Sequence, residues 1–205
     1  DSTYRYRQCS NFYYLTGYNK PGAILVVQKK KNNQISYFYS KKPNKYDSVW
    51  TGDLLTCKKI STTFGFGKTD YIDNFEKALY IFLKQSDIIY HSLTKSSSAY
   101  NILEKCMFSL ERDYRKGTQL PSSQHSVKKI IHKLRLIKGK DEIKTIKKAC
   151  LISAGAHINL MKKCKPGISE KQLESQLIYD FGSSNASEAY TSIVAGGKNA
   201  CVLHY

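Results

Sequence analysis

The sequence has 205 residues, of which 41% are hydrophobic, and a formal net charge of +17 at pH 7. No apolar run approaches the roughly 20 residues that a membrane-spanning helix needs, and the opening residues DSTYRYRQCS lack the apolar core of a signal peptide. These features argue against a membrane protein. They predict a soluble, cytoplasmic globular protein with one large domain, or one domain and part of another.

The positive charge suggests nucleic acid or another anionic surface as a partner. Only five of the 33 basic residues are arginine, however, at positions 5, 7, 112, 115 and 135. Because arginine supplies the bidentate hydrogen bonds that recognise phosphate and guanine, the excess of lysine weakens this hypothesis. Abundant Lys, Ile, Asn, Ser and Tyr are typical of an AT-rich genome, so a nucleic-acid function is the least favoured interpretation.

Six cysteines stand at positions 9, 57, 106, 150, 164 and 201, with no C-x-x-C pair among them. This spacing indicates neither a zinc module nor a disulfide framework. We therefore expect small, buried, apolar cysteines in a reducing compartment.

The first 71 residues predict strands followed by loops. Valine and isoleucine dominate residues 23–28, which predict a strand buried on both faces, and residues 35–39 predict its hairpin partner across a Lys/Asn loop. Residues 41–71 predict a loop-rich region. Within it we expect Trp50 in the core, because its large side chain is most often buried.

Helical periods appear after residue 71. Apolar residues at spacings of three and four predict a helix around Phe75–Leu83 and a second one from Tyr100 to Tyr114. Serines 96–98 are expected to cap the second helix and Gly117 to stop it, while residues 87–91 between the two predict a short buried strand. The polar residues 118–126 predict a connector that leads to a domain boundary near Leu136.

The longest predicted helix follows this boundary, with Asp141 and Glu142 at its start and two lysines at its end. Its apolar stripe consists of Ile143, Ile146, Cys150, Ser153, His157, Leu160 and Cys164. We expect His157 to be an interior, hydrogen-bonded residue and not a metal ligand, because Met161 stands at the i+4 position that a second ligand would need.

The last forty or so residues predict a helix and a hairpin. Ser169 and Gln172 predict a capping box, and Gly182 predicts the left-handed end of the helix. Residues 191–194 and 200–203, which flank a Gly-Gly-Lys-Asn turn, predict a β-hairpin that ends at His204. Two helices followed by a hairpin are typical of an α+β domain.

The order of these segments resembles aminopeptidase P, the Xaa-Pro aminopeptidases of the creatinase and methionine aminopeptidase superfamily (peptidase family M24). The matching stretches are DSTYRYRQCSNFYYLTGY with GAILVV, LRLIKGKDEIKTIKKACLISAGAH, MKKCKPGISEKQLE and AYTSIVAGGKNACVLHY. The resemblance implies an α/β, creatinase-like N-terminal domain at 1–136, with a mixed sheet and flanking helices. The first part of an α+β pita-bread catalytic domain would follow at 137–205.

The resemblance also implies an activity and its residues. Family members use two divalent metals, usually Mn²⁺, to remove the N-terminal residue from peptides with proline second. By position, His204 of the LHY motif takes the catalytic, substrate-contacting role, and Tyr190 lines the same pocket. Trp50 matches a tryptophan that is presented to a neighbouring subunit's active site, so we expect a homo-oligomer, a dimer or tetramer.

The metal ligands of the family, two Asp, one His and two Glu, follow the LHY motif, and none is among these 205 residues. We therefore expect no metal ligand in this chain, and we expect the isolated chain to be inactive. The chain is then either an internal fragment, whose first part is missing, or a degenerate gene product. The alternative function is a non-catalytic, creatinase-like domain whose residues 63–126 face a partner.

Overall fold

The computed structural model describes residues 6–92 and 98–205, apart from the side chains of Asp47 and Thr51. The chain divides into two compact units, Asp1–Leu134 and Arg135–Tyr205. The first unit contains every strand found in the described residues, and the second is built on two helices. Assignment of these units to the domains 1–136 and 137–205 stays a prediction.

A three-stranded mixed sheet organises the first unit. Strands β1 (Ala23–Lys30) and β2 (Asn33–Ser40) form an antiparallel hairpin, in which Ala23 pairs with Ser40 and Lys30 with Asn33. The predicted Lys/Asn loop is thus a tight turn of two residues, with Lys31 at a φ of +48°. Strand β3 (Lys68–Tyr71) pairs with β2 in parallel. The hairpin prediction is confirmed.

The strand that is buried on both faces is β2 and not β1. Strand β1 lies at the edge of the order β1-β2-β3, and its Val27 is 53% exposed. The neighbouring residues Phe38 and Tyr39 of β2 point to opposite faces, and both are buried, in two different apolar clusters. The prediction for residues 23–28 is wrong because a central strand is covered more fully than an edge strand.

Residues 41–71 are more regular than predicted. They contain helix α2 (Lys45–Thr51) and helix α3 (Cys57–Phe64), in addition to β3, and a helix α1 (Ser10–Thr16) precedes the hairpin. Asn44 caps α2 through a hydrogen bond from the Tyr46 amide, and Thr56 caps α3 through one from the Lys59 amide. These caps satisfy backbone donors in helices that are too short to show an apolar period.

Both faces of the sheet carry an apolar cluster. One contains Tyr18, Phe38, Ile60 and Phe66, with the rings of Phe38 and Phe66 stacked at 4.4 Å between centroids. The other joins Tyr39 to helices α4 (Phe75–Lys84) and α5 (Ser98–Arg112) through Phe75, Leu79, Leu83, Cys106 and Leu110. The two predicted helices of this region are confirmed.

The ends of α5 confirm the predicted stop and leave the predicted start outside the described residues. A 3₁₀ turn (Asp113–Lys116) follows the helix, and Gly117 ends it at a φ of +76°, which glycine adopts at no steric cost. Of the predicted serine cap, Ser96 and Ser97 lie outside the described residues.

A second, two-stranded parallel sheet pairs β4 (Ile88–His91) with β5 (Ser123–Ser126). The predicted strand at 87–91 exists, but Ile88 and Tyr90 are exposed, so its predicted burial is wrong. The predicted connector at 118–126 contains β5, because these polar residues obtain their order from the backbone pairing with β4. Helix α6 (Lys128–Leu136) follows.

The second unit contains helix α7 (Lys140–Lys163) and helix α8 (Glu170–Ser183). The capping box is confirmed: the Gln172 amide donates to Ser169 Oγ at 3.2 Å, and the Ser169 amide donates to Gln172 Oε1 at 2.9 Å. The predicted glycine cap is wrong, because Gly182 lies within the helix and Asn185 adopts the left-handed conformation, at a φ of +53°.

The buried face of α7 differs from the predicted stripe. Ala156 is its only buried residue in the described chain, whereas Ile143, Ile146, Cys150 and Cys164 of the stripe are exposed. His157 is hydrogen-bonded as predicted, with Nδ1 at 2.8 Å from the Ser153 carbonyl oxygen. Its side chain is exposed, however, so the prediction of an interior histidine is wrong.

The cysteines also depart from expectation. All six are free thiols, and Cys106 is buried, whereas Cys9, Cys150, Cys164 and Cys201 are exposed and Cys57 is intermediate. Only Cys106, where α5 packs against the sheet, lies buried among apolar side chains.

None of the helices in the described ranges combines the length and the apolarity that crossing a bilayer requires.

Candidate functional site

The residues that carry the predicted site lie on an irregular segment after α8. We call residues 186–205 the His204 segment. Its predicted β-hairpin is wrong: residues 191–196 have no regular structure, and Gly197–Cys201 form a 3₁₀ turn that begins with Gly197 at a φ of +55°. The β-branched residues that suggested strands have no partner strand in the described part of this unit, and backbone pairing is what makes a strand.

A single carboxylate holds this segment against the start of α8. The Gly196 amide donates to Glu170 Oε1 at 2.7 Å, and Asn199 Nδ2 donates to the same oxygen at 3.0 Å. The Tyr205 hydroxyl donates to Glu170 Oε2 at 2.8 Å, and Asn199 Nδ2 also donates to the Tyr205 hydroxyl at 3.0 Å. Both oxygens of Glu170 are therefore engaged, and the segment is fixed on both sides of the 3₁₀ turn.

These hydrogen bonds shift the titration of both partners. The pKa of Glu170 lies below its ordinary value because Asn199, the Gly196 amide and Tyr205 all donate to the ionised form. The pKa of Tyr205 is raised because its hydroxyl donates to that carboxylate and its ionised form would be repelled by it. Glu170 is consequently an anion at neutral pH, in the first turn of a helix, where negative charge is favourable.

His204 and Tyr190 are both displayed by the His204 segment. His204 is exposed and lies in a turn directly before the anchored Tyr205. Tyr190 is 80% exposed, in a bend that follows α8. An exposed imidazole can donate a hydrogen bond to a substrate carbonyl or move a proton, and an exposed phenol can bind a polar group. The arrangement can therefore contact a ligand.

Trp50 lies in the first unit, near the end of α2, and is 78% exposed. The expectation that it belongs to the core is wrong, because the apolar clusters on both faces of the sheet are filled by other elements. Tyr46 and Val49 of the same short helix are exposed as well. The side chain is thus available for an external contact.

Sequence reasoning missed Glu170 and Asn199. Glu170 stands inside the capping box that was recognised, where an acidic residue is ordinarily explained by the helix dipole alone. Asn199 stands in a Gly-Gly-Lys-Asn stretch that is typical of a turn. The capping box and the Gly-Gly-Lys-Asn stretch marked the two regions. The hydrogen bond between Glu170 and Asn199, however, joins residues 29 positions apart, which no local pattern reveals.

A metal site does not fit the residues that are described. Residues 6–92 and 98–205 contain no group of three or more His, Cys, Asp or Glu side chains that could hold a metal ion. The Glu170 carboxylate, which is hydrogen-bonded to the neighbour of His204, already accepts three hydrogen bonds from its own unit. We therefore assign no reaction step of this chain to a metal.

Two family models match the chain. The aminopeptidase P N-terminal domain matches residues 1–90, and metallopeptidase family M24 matches residues 144–205. The chain belongs to the aminopeptidase P family. The family resemblance proposed from the sequence motifs is confirmed, and so is the fold class, an α/β mixed-sheet domain followed by the start of the M24 catalytic domain.

Aminopeptidase P relatives cover the whole chain. The Xaa-Pro aminopeptidase of Escherichia coli (strain K12) is 30% identical over 207 residues, which are 100% of this chain and 47% of the relative. The structure of proline aminopeptidase P II from Yersinia pestis is 34% identical with a TM-score of 0.93, over 100% of this chain and 48% of that one. A zinc-substituted Escherichia coli aminopeptidase P in complex with product is 30% identical with a TM-score of 0.94, over 100% and 47%. This chain spans about half the length of the curated relatives it matches.

Proposed function

We propose that the protein containing this chain is a metal-dependent Xaa-Pro aminopeptidase, which hydrolyses the N-terminal residue from peptides with proline second. The observation that carries the proposal is the M24 match over residues 144–205, which includes the whole His204 segment. The relatives named Xaa-Pro aminopeptidase and proline aminopeptidase support the same substrate class. We assign the first unit to the N-terminal domain of the family and the second to the start of its catalytic domain.

Three residues of this chain contact substrate in the proposal. The exposed imidazole of His204 donates a hydrogen bond to the substrate or moves a proton at the scissile peptide, and Tyr190 lines the same pocket. Trp50 extends from its own subunit toward the site of another in a homo-oligomer, a dimer or tetramer. The exposure of all three side chains is compatible with these roles.

Two divalent ions belong to the proposal as well, with Mn²⁺ as the expected metal. Such ions activate a water molecule as the nucleophile. A structural relative is described as zinc-substituted, so the test must compare metals. In the proposal their ligands follow the LHY motif, outside these 205 residues, so we expect the 205-residue chain by itself to be inactive. A cytoplasmic location stays a prediction.

A second candidate function is a non-catalytic interaction domain. The observation in its favour is the exposed apolar face of α2, formed by Tyr46, Val49 and Trp50, which fits a protein contact. This candidate predicts binding without hydrolysis. A nucleic-acid function receives no support beyond the lysine content.

The deciding experiment is a peptidase assay of the full-length protein on two matched peptides, Xaa-Pro-Xaa and Xaa-Ala-Xaa. We expect release of the N-terminal residue from the proline peptide only, loss of release after chelation, and recovery on adding Mn²⁺, with Zn²⁺ as the comparison. Absence of hydrolysis with every metal would contradict the peptidase proposal and favour the interaction domain. Turnover by the 205-residue chain alone would contradict our assignment of the metal site.

A separate experiment measures the oligomeric state of the full-length protein by light scattering. A monomer would contradict the role given to Trp50, which requires a neighbouring subunit.

A further inference from the structure

The His204 segment donates all three hydrogen bonds that the Glu170 carboxylate accepts from it. Their donors come from three places along the His204 segment: the backbone before the 3₁₀ turn, the side chain within it and the residue after His204. The acceptor is one carboxylate on the first residue of α8. The segment is therefore held at three points by a single residue.

The first turn of α8, which carries Glu170, is held by its own hydrogen bonds. Ser169 and Gln172 exchange hydrogen bonds across the first turn of α8, which fixes the backbone on both sides of Glu170. Inside the His204 segment, the Asn199 amide donates to the Gly196 carbonyl and the Val202 amide to the Asn199 carbonyl. A short hydrogen-bonded path thus leads from Glu170 through Gly196 and Asn199 to Val202, two residues before His204.

We propose that Glu170 is a positioning residue for His204: its carboxylate fixes Gly196, Asn199 and Tyr205, and so sets where the imidazole stands. This inference rests on the proposed function, since it concerns the residue to which that function gives the substrate contact. Glu170 touches no substrate in this proposal. It acts through Tyr205, the covalent neighbour of His204.

The geometry separates this role from simple helix capping. The capping bonds of α8 are made by Ser169 and Gln172, and they do not use the Glu170 side chain. Glu174, one turn further along α8, forms a 2.7 Å ion pair with Lys171 that stays within the helix. Glu174 is therefore a matched control: a glutamate on the same helix, in an ionic contact, without a bond to the His204 segment.

The first test measures structure alone, by hydrogen exchange of the full-length protein. We expect Glu170→Ala to speed exchange of the amides in residues 196–205 while α8 retains its protection. Glu174→Gln should leave both regions as in the wild type. Unchanged exchange in 196–205 would overturn the proposal whether or not the protein is a peptidase.

The second test measures kcat/KM of the full-length protein on the Xaa-Pro peptide. Glu170→Ala should lower it by about a hundredfold, the scale of a small misplacement of a catalytic group. Glu170→Gln keeps one acceptor oxygen and should lower it by about tenfold, within the range of outer-contact substitutions. Glu174→Gln should stay within about twofold of the wild type.

A double-mutant cycle with His204→Ala distinguishes positioning from general destabilisation. If Glu170 acts through His204, then adding Glu170→Ala to His204→Ala changes kcat/KM by less than about twofold. Independent, multiplying losses would overturn the proposal. If Glu170→Ala does not fold, Tyr205→Phe and Glu170→Gln replace it in the same cycle. A wild type without activity would contradict the proposed function, and the exchange experiment would still decide the anchoring.

Discussion

The two units bury their apolar side chains to very different degrees. Among the described residues, eleven buried apolar side chains lie in the first unit and two, Ala156 and Leu177, in the second. The first unit surrounds a sheet with helices, so each face of the sheet has its own cluster. The second has one helix packed on another and an irregular segment tied down by polar bonds.

This difference shows that the proposed substrate contact does not lie on the best-packed part of the molecule. In the first unit, stability comes from apolar burial, which does not depend on direction. In the second, we infer that the position of His204 depends on hydrogen bonds to Glu170, which are few in number but specific in geometry. The same substitution should therefore have different consequences in the two units.

The largest effect is expected from removing a core leucine. Leu110 of α5 is 0% exposed, whereas Leu151 of α7 is 74% exposed. We expect Leu110→Ala to lower the free energy of unfolding by about 2–5 kcal/mol, through lost burial and a residual cavity. Leu151→Ala should change it by less than about 0.5 kcal/mol. Urea unfolding of both variants, followed by circular dichroism, measures the contrast; equal losses would contradict it.

A second contrast concerns the thiols. Cys150, Cys164 and Cys201 of the second unit are exposed, as is Cys9, whereas Cys106 is buried, and burial raises the pKa of its thiol. We expect four thiols to react rapidly with a disulfide reagent in the native chain and Cys106 only upon unfolding. Mass spectrometry of the labelled chain identifies the sites. Rapid labelling of Cys106 would show that the core of the first unit is open.

The smallest effect concerns pH. The depressed pKa of Glu170 means that folding favours its ionised form, so the contacts stabilise the segment above the ordinary value of 4.5 and are lost as pH falls through the lower folded-state pKa. Tyr205→Phe removes one donor, and we expect the pKa of Glu170 to rise toward its ordinary value. Carboxyl NMR titration measures this. A value unchanged by the substitution would mean that Tyr205 does not donate to Glu170 in solution.

Local sequence patterns predicted those parts of the fold that local interactions determine. The β1–β2 hairpin, helices α4, α5, α7 and α8, and the Ser169 capping box follow from period and cap chemistry. The short helices α2 and α3 have no apolar period, and the sequence patterns did not predict them. Burial was less predictable still, because whether Trp50 or Val27 is covered depends on which neighbours the tertiary structure supplies.

The candidate site was predictable in part. The motif that ends in His204 identified the segment through resemblance, but its β-hairpin was wrong because the apolar runs on either side of the glycines do not pair with each other. The anchoring by Glu170 could not be predicted, since it joins Glu170 to Asn199 and Tyr205 across a loop. Such contacts depend on where the chain returns in space.

The most direct test of the account is kcat/KM of the metal-loaded, full-length protein on the Xaa-Pro peptide after His204→Ala, with His157→Ala as the matched control. His157 is also an exposed histidine of the second unit, but it is bonded to its own helix. We predict a loss of about a hundredfold or more for His204→Ala, the usual cost of removing a transition-state donor, and a change within about twofold for His157→Ala. Equal activity of the two variants would contradict the role assigned to His204.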